Sequence, residues 1–123
     1  MKSGYINLVD LDFEYKIWKN RLELFRKEIR IILDRNEEVK SEVGIDDLPE
    51  DELRNIEEHD RELTYLYNRI KVQEQELHYY NKDFPITSEH QFYKEHELIR
   101  DKVEEISEKH IGYLASLMNM LSL

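Results

Sequence analysis

The sequence predicts an all-α fold, an antiparallel three-helix bundle of long coiled-coil-like helices. Charged residues make up 37% of the 123 residues, whereas glycine occurs 3 times and proline 2 times, a composition typical of long helices with polar outer faces. Turn-forming residues cluster at two places, 43–49 and 81–85. Between these breaks, apolar residues recur at alternating spacings of three and four, which is the pattern of helices that supercoil around one another.

The two breaks divide the chain into helices at approximately 8–42, 48–82 and 88–122. A length of 123 residues favours a single domain, 1–123, because it leaves little room for a second core. Short connections make consecutive helices run in opposite directions. The three helices are therefore expected to pack as one bundle.

Two short patterns predict where the second and third helices begin. Asp47 is followed three residues later by Glu50, and Ser88 is followed three residues later by Gln91. Each pair fits a capping box, in which the two side chains satisfy backbone N–H groups left free at a helix start.

Each helix carries a seam of mostly apolar residues that predicts its buried face. The first helix has Leu11, Tyr15, Trp18, Leu22, Phe25, Ile29, Ile32, Asn36, Val39 and Val43. The second has Ile56, Leu63, Ile70, Leu77 and Phe84, with His59, Leu66, Gln73 and Tyr80 on one flank. The third has Phe92, His96, Ile99, Val103, Ile106, His110, Tyr113, Leu117 and Met120.

The stretch DFEYKIWKNRLELFRKEIRI in the first helix, with its aromatic and acidic start and Trp18, resembles small uncharacterised bacterial helical-bundle proteins of unassigned function. The resemblance implies the same helical fold. It implies no activity, cofactor or site residue, because a fold alone does not carry function.

Charge and composition exclude several classes of function. The formal net charge of −10 argues against binding nucleic acid or an anionic membrane surface, since both require clustered basic residues. No uncharged stretch reaches the roughly 20 apolar residues of a membrane-spanning helix. The absence of cysteine excludes thiolate chemistry and, with no signal-peptide pattern at the start, favours a cytoplasmic location.

Polar residues in the seams predict two polar layers inside the bundle. An antiparallel pairing of the second and third helices brings His110 level with His59, and the first helix offers Asn36 at that level, with Asp60 beside it. A second layer combines Tyr15, Glu74 and His96, with Glu14 and Trp18 at the same height.

These layers allow two interpretations. Imidazole and carboxylate groups that converge from different helices could bind zinc, iron or manganese, with His59, Asp60 and His110 as ligands. Alternatively, the layers fix the register of the helices, as a buried Asn does in coiled coils. The Glu-x-x-His pairs of di-iron bundles are absent, so the second interpretation is favoured and no cofactor is expected. The sequence leaves open whether either layer binds metal.

Catalysis is not expected, because the sequence contains no nucleophile elbow and no glycine-rich phosphate loop, and slender bundles rarely form a substrate pocket. An acidic decoy for a nucleic-acid-binding protein is a further alternative.

Apolar residues outside the seams predict a protein interface. Two groups form this set: Ile17, Leu24 and Ile31 in the first helix, and Ile111, Leu114, Met118 and Leu121 in the third. They indicate either a wide buried face within the bundle or a surface for self-association. The function expected from the sequence is therefore that of a non-catalytic protein-interaction or structural bundle, acting as a homodimer or with an unidentified protein partner.

Overall fold

A computed structural model describes residues 5–80 and 86–121 and confirms the all-α three-helix bundle. The helices are α1 (Leu8–Val43), α2 (Glu50–Leu77) and α3 (Gln91–Met120). Two dipeptide strands that the sequence analysis did not predict, β1 (Tyr5–Ile6) and β2 (Ile86–Thr87), pair antiparallel just before α1 and α3. No helix within the described ranges is long and apolar enough to cross a membrane.

The predicted bounds hold best for α1, which ends one residue later than expected. α2 is shorter than the predicted 48–82 at both ends, and α3 begins at Gln91 instead of 88. Residues 81–85 and 122–123 lie outside the described residues.

Both predicted helix caps are wrong. Pro49, and not Asp47, occupies the cap position of α2 and makes no side-chain hydrogen bond there. The Asp47 carboxylate instead accepts a hydrogen bond from Arg35 at 2.6 Å. α3 is capped by Nδ1 of His90, which accepts a hydrogen bond from the backbone N–H of Phe92 at 3.1 Å.

Contacts between side chains fix the relative directions of the helices. α1 and α2 run antiparallel, since Lys19 contacts Glu74 near one end while Arg35 contacts the loop before α2 at the other. α1 and α3 run parallel and approach each other least closely of the three helix pairs. No loop joins these two helices directly, so the β1–β2 pair at their starts and side-chain contacts along their length set their alignment.

Asn36 fixes the turn between α1 and α2. Gly44 ends α1 with a left-handed φ of 83°, which a residue with a side chain rarely adopts. The side-chain oxygen of Asn36 then accepts hydrogen bonds from the backbone N–H groups of Asp47 and Leu48 at 2.9 and 3.0 Å. Its amide nitrogen donates to Asp46 at 2.9 Å. The polar seam position 36 therefore holds the loop.

The predicted seams form one contiguous core along the bundle axis, except at Val43 and Met120, which are 64% and 46% exposed. Phe84 of the second seam lies outside the described residues. Leu22, Ile29, Ile56, Leu63 and Ile99 are fully buried. His59, His96 and His110 are buried among them, at most 1% exposed. Burial without partners would be costly for these imidazoles.

Candidate functional site

The first buried polar cluster, named here the His110 layer, consists of Glu28, His59 and His110, one residue from each helix. Nε2 of His110 lies 2.9 Å from Oε1 of Glu28, and Nδ1 of His110 lies 2.9 Å from Nε2 of His59. The predicted proximity of His59 and His110 is confirmed. The three side chains form a hydrogen-bonded chain across the bundle.

The contact with Glu28 assigns one proton of this chain. Because a carboxylate only accepts, Nε2 of His110 carries the proton that Glu28 binds. Nδ1 of His110 and Nε2 of His59 share one further proton in a hydrogen bond. This leaves Nδ1 of His59 buried with no hydrogen-bond partner among the described residues.

Aromatic rings enclose the His110 layer. Phe25 stacks on the His110 ring with centroids 4.1 Å apart, and Tyr113 lies 5.7 Å from the His59 ring. Burial, with smaller contributions from the neighbouring His110 and Lys109, lowers the pKa of His59 to about 4. His59 is therefore neutral near pH 7.

The second cluster, the His96 layer, consists of Glu14, His96 and Arg100. Oε1 of Glu14 accepts from Nε2 of His96 at 2.8 Å. Arg100 donates hydrogen bonds to both oxygens of the same carboxylate, at 3.1 and 2.5 Å. Such a two-point contact is stronger and more directional than a single hydrogen bond.

The electrostatics of the His96 layer follow from burial and from Arg100. Burial lowers the pKa of His96, and the hydrogen bond and charge of Glu14 oppose that effect only in part. Burial would raise the pKa of Glu14, but the hydrogen bonds and charges of Arg100 and His96 outweigh it and hold the pKa below its usual value. Glu14 thus remains a carboxylate beside a neutral imidazole. The rings of Tyr15 and Trp18 each lie 4.8 Å from that of His96.

The two layers repeat the same arrangement along the parallel pair α1 and α3. The Glu14–His96 and Glu28–His110 contacts both join residues 82 apart in sequence. Two heptads separate the glutamates, and two heptads separate the histidines. A constant offset over two heptads is the geometry of helices that keep one seam facing each other.

Several residues of the predicted layers have different partners from those expected. Asn36 is buried but contacts the α1–α2 loop, as described above. Asp60 pairs with Arg26 of α1 at 3.6 Å. Glu74 pairs with Lys19 at 2.7 Å, so the acid that binds His96 is Glu14.

Glu28 was missed by the sequence analysis because it lies one position before the apolar seam of α1. One signal in the sequence indicates it. Glu14 and Glu28 have the same spacing as His96 and His110.

Neither layer has the geometry expected of a metal centre. Within residues 5–80 and 86–121, no group of three or more histidine, aspartate or glutamate side chains is arranged to hold a metal ion. A surface cavity of about 370 Å³ lies between α2 and α3, and residues including Glu62, Tyr65 and Lys102 line it. None of the residues that line this cavity belongs to either layer. The contacts of both layers join residues of different helices.

The predicted interface residues of α1 lie on its surface. Ile17, Leu24 and Ile31, named here the outer row of α1, are 41%, 55% and 67% exposed. Each follows by three residues an α1 side chain that contacts α3: Glu14, Arg21 or Glu28. The outer row therefore runs along the side of α1 that borders α3.

The predicted interface residues of α3 divide into two groups. Ile111 and Met118 are 64% and 43% exposed. Leu121 is buried and Leu114 is half-buried against the core, so these two contribute to the bundle itself. The surface patch on α3 is thus smaller than predicted, because the last turn of α3 folds its leucines inward.

A scan against protein-family models and searches of curated proteins and solved structures found no match to this chain. The resemblance of the first helix to bacterial helical-bundle proteins therefore stays a prediction.

Proposed function

We propose that this protein is a non-catalytic interaction or structural bundle that self-associates through the outer row of α1. One observation carries the proposal: three aliphatic residues at heptad spacing lie outside a core that is already complete without them. Isolated exposed apolar residues are common, but a continuous aligned row is typical of a surface that a partner covers.

The exposed fractions suggest the strength of the association. Ile17, Leu24 and Ile31 are about half exposed, so covering each one contributes about 1 kcal/mol, half of the usual value for full burial. Six such side chains in a dimer supply about 6 kcal/mol, close to the lower estimates of the entropic cost of association. Polar contacts beside the row must supply the remaining free energy of association. We expect a dimer that forms at micromolar concentration.

Sedimentation of a charged variant tests this proposal. Leu24→Lys combined with Ile31→Lys places two ammonium groups in the apolar row. Because both positions are exposed in the single chain, the variant is expected to keep its helical circular dichroism and to sediment as a monomer where the wild type is a dimer.

A matched control carries the same change on another face. Tyr65 and Val72 on α2 are 66% and 52% exposed and are also one heptad apart. Tyr65→Lys with Val72→Lys should leave the dimer intact. A wild type that sediments as a monomer throughout the micromolar range would refute the proposal, and so would dissociation caused by the α2 control alone.

A further inference from the structure

We propose that the second copy packs antiparallel across the outer row of α1, with a two-fold axis beside Leu24. This inference rests on the proposed self-association and specifies its geometry. Leu24 then contacts Leu24 of the second copy, and Ile17 contacts Ile31 of the second copy. The axis lies close to the middle of α1 (Leu8–Val43), so the two α1 helices overlap over almost their whole length.

A row of alternating charge lies beside the apolar row and supports a second copy as the partner. Glu14, Arg21, Glu28 and Arg35 follow one another at heptad spacing. Their side chains are 31% to 36% exposed, so each can accept a further contact in addition to its partner within the chain. Each residue of the row lies next to the outer row on the same flank.

The order of these charges is self-complementary in an antiparallel pair. A two-fold axis perpendicular to the helices brings the same flank of both copies together with the sequence direction reversed. Glu14 then faces Arg35 of the second copy, and Arg21 faces Glu28 of the second copy. A row that reads acidic, basic, acidic, basic becomes its own complement when reversed, which favours this chain over an unrelated partner.

The opposite flank is compatible with the same arrangement. It carries Phe13, Asn20, Lys27 and Asp34. In the antiparallel pair Asn20 faces Lys27 of the second copy and Phe13 faces Asp34 of the second copy. No like charges meet directly on this flank.

The helix dipoles select the antiparallel direction. A parallel pair in register would also oppose unlike charges, since Glu28 would face Lys27 of the second copy and Arg35 would face Asp34. However, it would place the N-termini of two 36-residue helices side by side, and likewise their C-termini, so that partial charges of the same sign meet. The antiparallel pair places each N-terminus beside a C-terminus, where the partial charges are opposite.

Cysteine cross-linking tests the direction cleanly, because the natural chain contains 0 cysteines. Ile17→Cys, Leu24→Cys and Ile31→Cys are made singly, and one of the Ile variants carries a mass tag. With a short bismaleimide, Leu24→Cys should cross-link to itself. Mixed Ile17→Cys and Ile31→Cys chains should give the mixed product as the dominant species, with little product from either variant alone. Val72→Cys on α2 is the control and should give no cross-link.

The possible outcomes distinguish the antiparallel geometry from self-association itself. Strong self-cross-linking of Ile17→Cys alone would show a parallel pair and overturn the inference while leaving self-association intact. A wild type that sediments as a dimer while none of the three α1 variants cross-links would place the interface elsewhere and also overturn the inference. A wild type that is monomeric by sedimentation refutes the proposed function itself.

Discussion

Replacing the two histidines of the His110 layer, singly and together, tests how this layer contributes to stability. His110 donates to Glu28 and shares a hydrogen bond with His59, so His110→Leu removes two hydrogen bonds and leaves Nε2 of His59 buried without a partner. A buried polar atom left without a partner costs about 1–3 kcal/mol, and each lost hydrogen bond costs about 1 kcal/mol. We expect His110→Leu to lower the free energy of unfolding by about 2–4 kcal/mol.

The double variant should lose much less free energy of unfolding than the two single variants lose together. His59→Leu alone should cost about 1–2 kcal/mol, because it leaves Nδ1 of His110 without a partner but also removes the already unpartnered Nδ1 of His59. In His59→Leu/His110→Leu no imidazole remains to lack a partner, and Glu28, 35% exposed, can turn to water. Leucine fits the apolar surroundings, so the double variant should be within about 1 kcal/mol of the wild type or more stable.

Urea denaturation followed by circular dichroism measures all three variants and the wild type at pH 7. The informative quantity is the coupling energy, which we expect to exceed about 1 kcal/mol. If the double variant loses as much free energy of unfolding as the two single variants together, the two rings act independently. That result would refute the hydrogen-bonded chain.

Three further predictions concern the polar groups of the bundle. The lowered pKa values of His59 and His96 mean that the unfolded chain binds protons first, so stability should fall as pH drops below about 6.5. For His59, whose pKa is about 4, the loss should be on the order of 2 kcal/mol at pH 5, and His96 should add to it; stability that is flat between pH 7 and 5 would contradict this. Asn36→Ala removes the acceptor of two backbone N–H groups and should cost about 2 kcal/mol in thermal denaturation, whereas Ala at its exposed neighbour Glu37 should cost little. Glu14→Gln removes a charge that raises the pKa of His96, so NMR titration should show that pKa falling further, and an upward movement would contradict the assignment.

The core of the bundle could be predicted because it depends on local periodicity. Alternating spacings of three and four identify the buried face of a helix whatever its neighbours are, so Leu22, Ile29, Leu63 and Ile99 were placed correctly. The pairing of His59 with His110 was also predictable, since the two consecutive helices α2 and α3 must run antiparallel.

The partners of the polar residues depend on geometry that periodicity does not contain. Asn36 was correctly predicted to point inward, but its role depends on the path of the α1–α2 loop. Glu28 was missed because its contact with His110 depends on the alignment of α1 with α3, which no connection joins. The end of α2 at Leu77 was also missed, because it is not followed directly by glycine or proline.

The repeated offset of 82 residues explains why polar groups are retained in the seam between α1 and α3. A slip of α3 by one heptad in one direction would place His96 opposite Arg21 and Val103 opposite Glu28. A slip in the other direction would place Val103 opposite Glu14 and His110 opposite Arg21. Either slip places an imidazole opposite a cation and a half-buried carboxylate opposite an apolar side chain, and both contacts are unfavourable. In a purely apolar seam, neither slip would cost much free energy.

The two layers, together with the β1–β2 pair, therefore specify one alignment of helices that no loop joins directly, at some cost in stability relative to leucine. It follows that His59→Leu/His110→Leu, although stable, should keep its register through the contacts of Glu14 with His96 and Arg100 and through the β1–β2 pair. Removing the Glu14 contacts as well, with Glu14→Leu and His96→Leu, should leave the helical content high while NMR contacts between α1 and α3 report more than one alignment. A single alignment in that variant would mean that the β1–β2 pair and the apolar core are enough to fix the register, and that the polar layers are not needed for it.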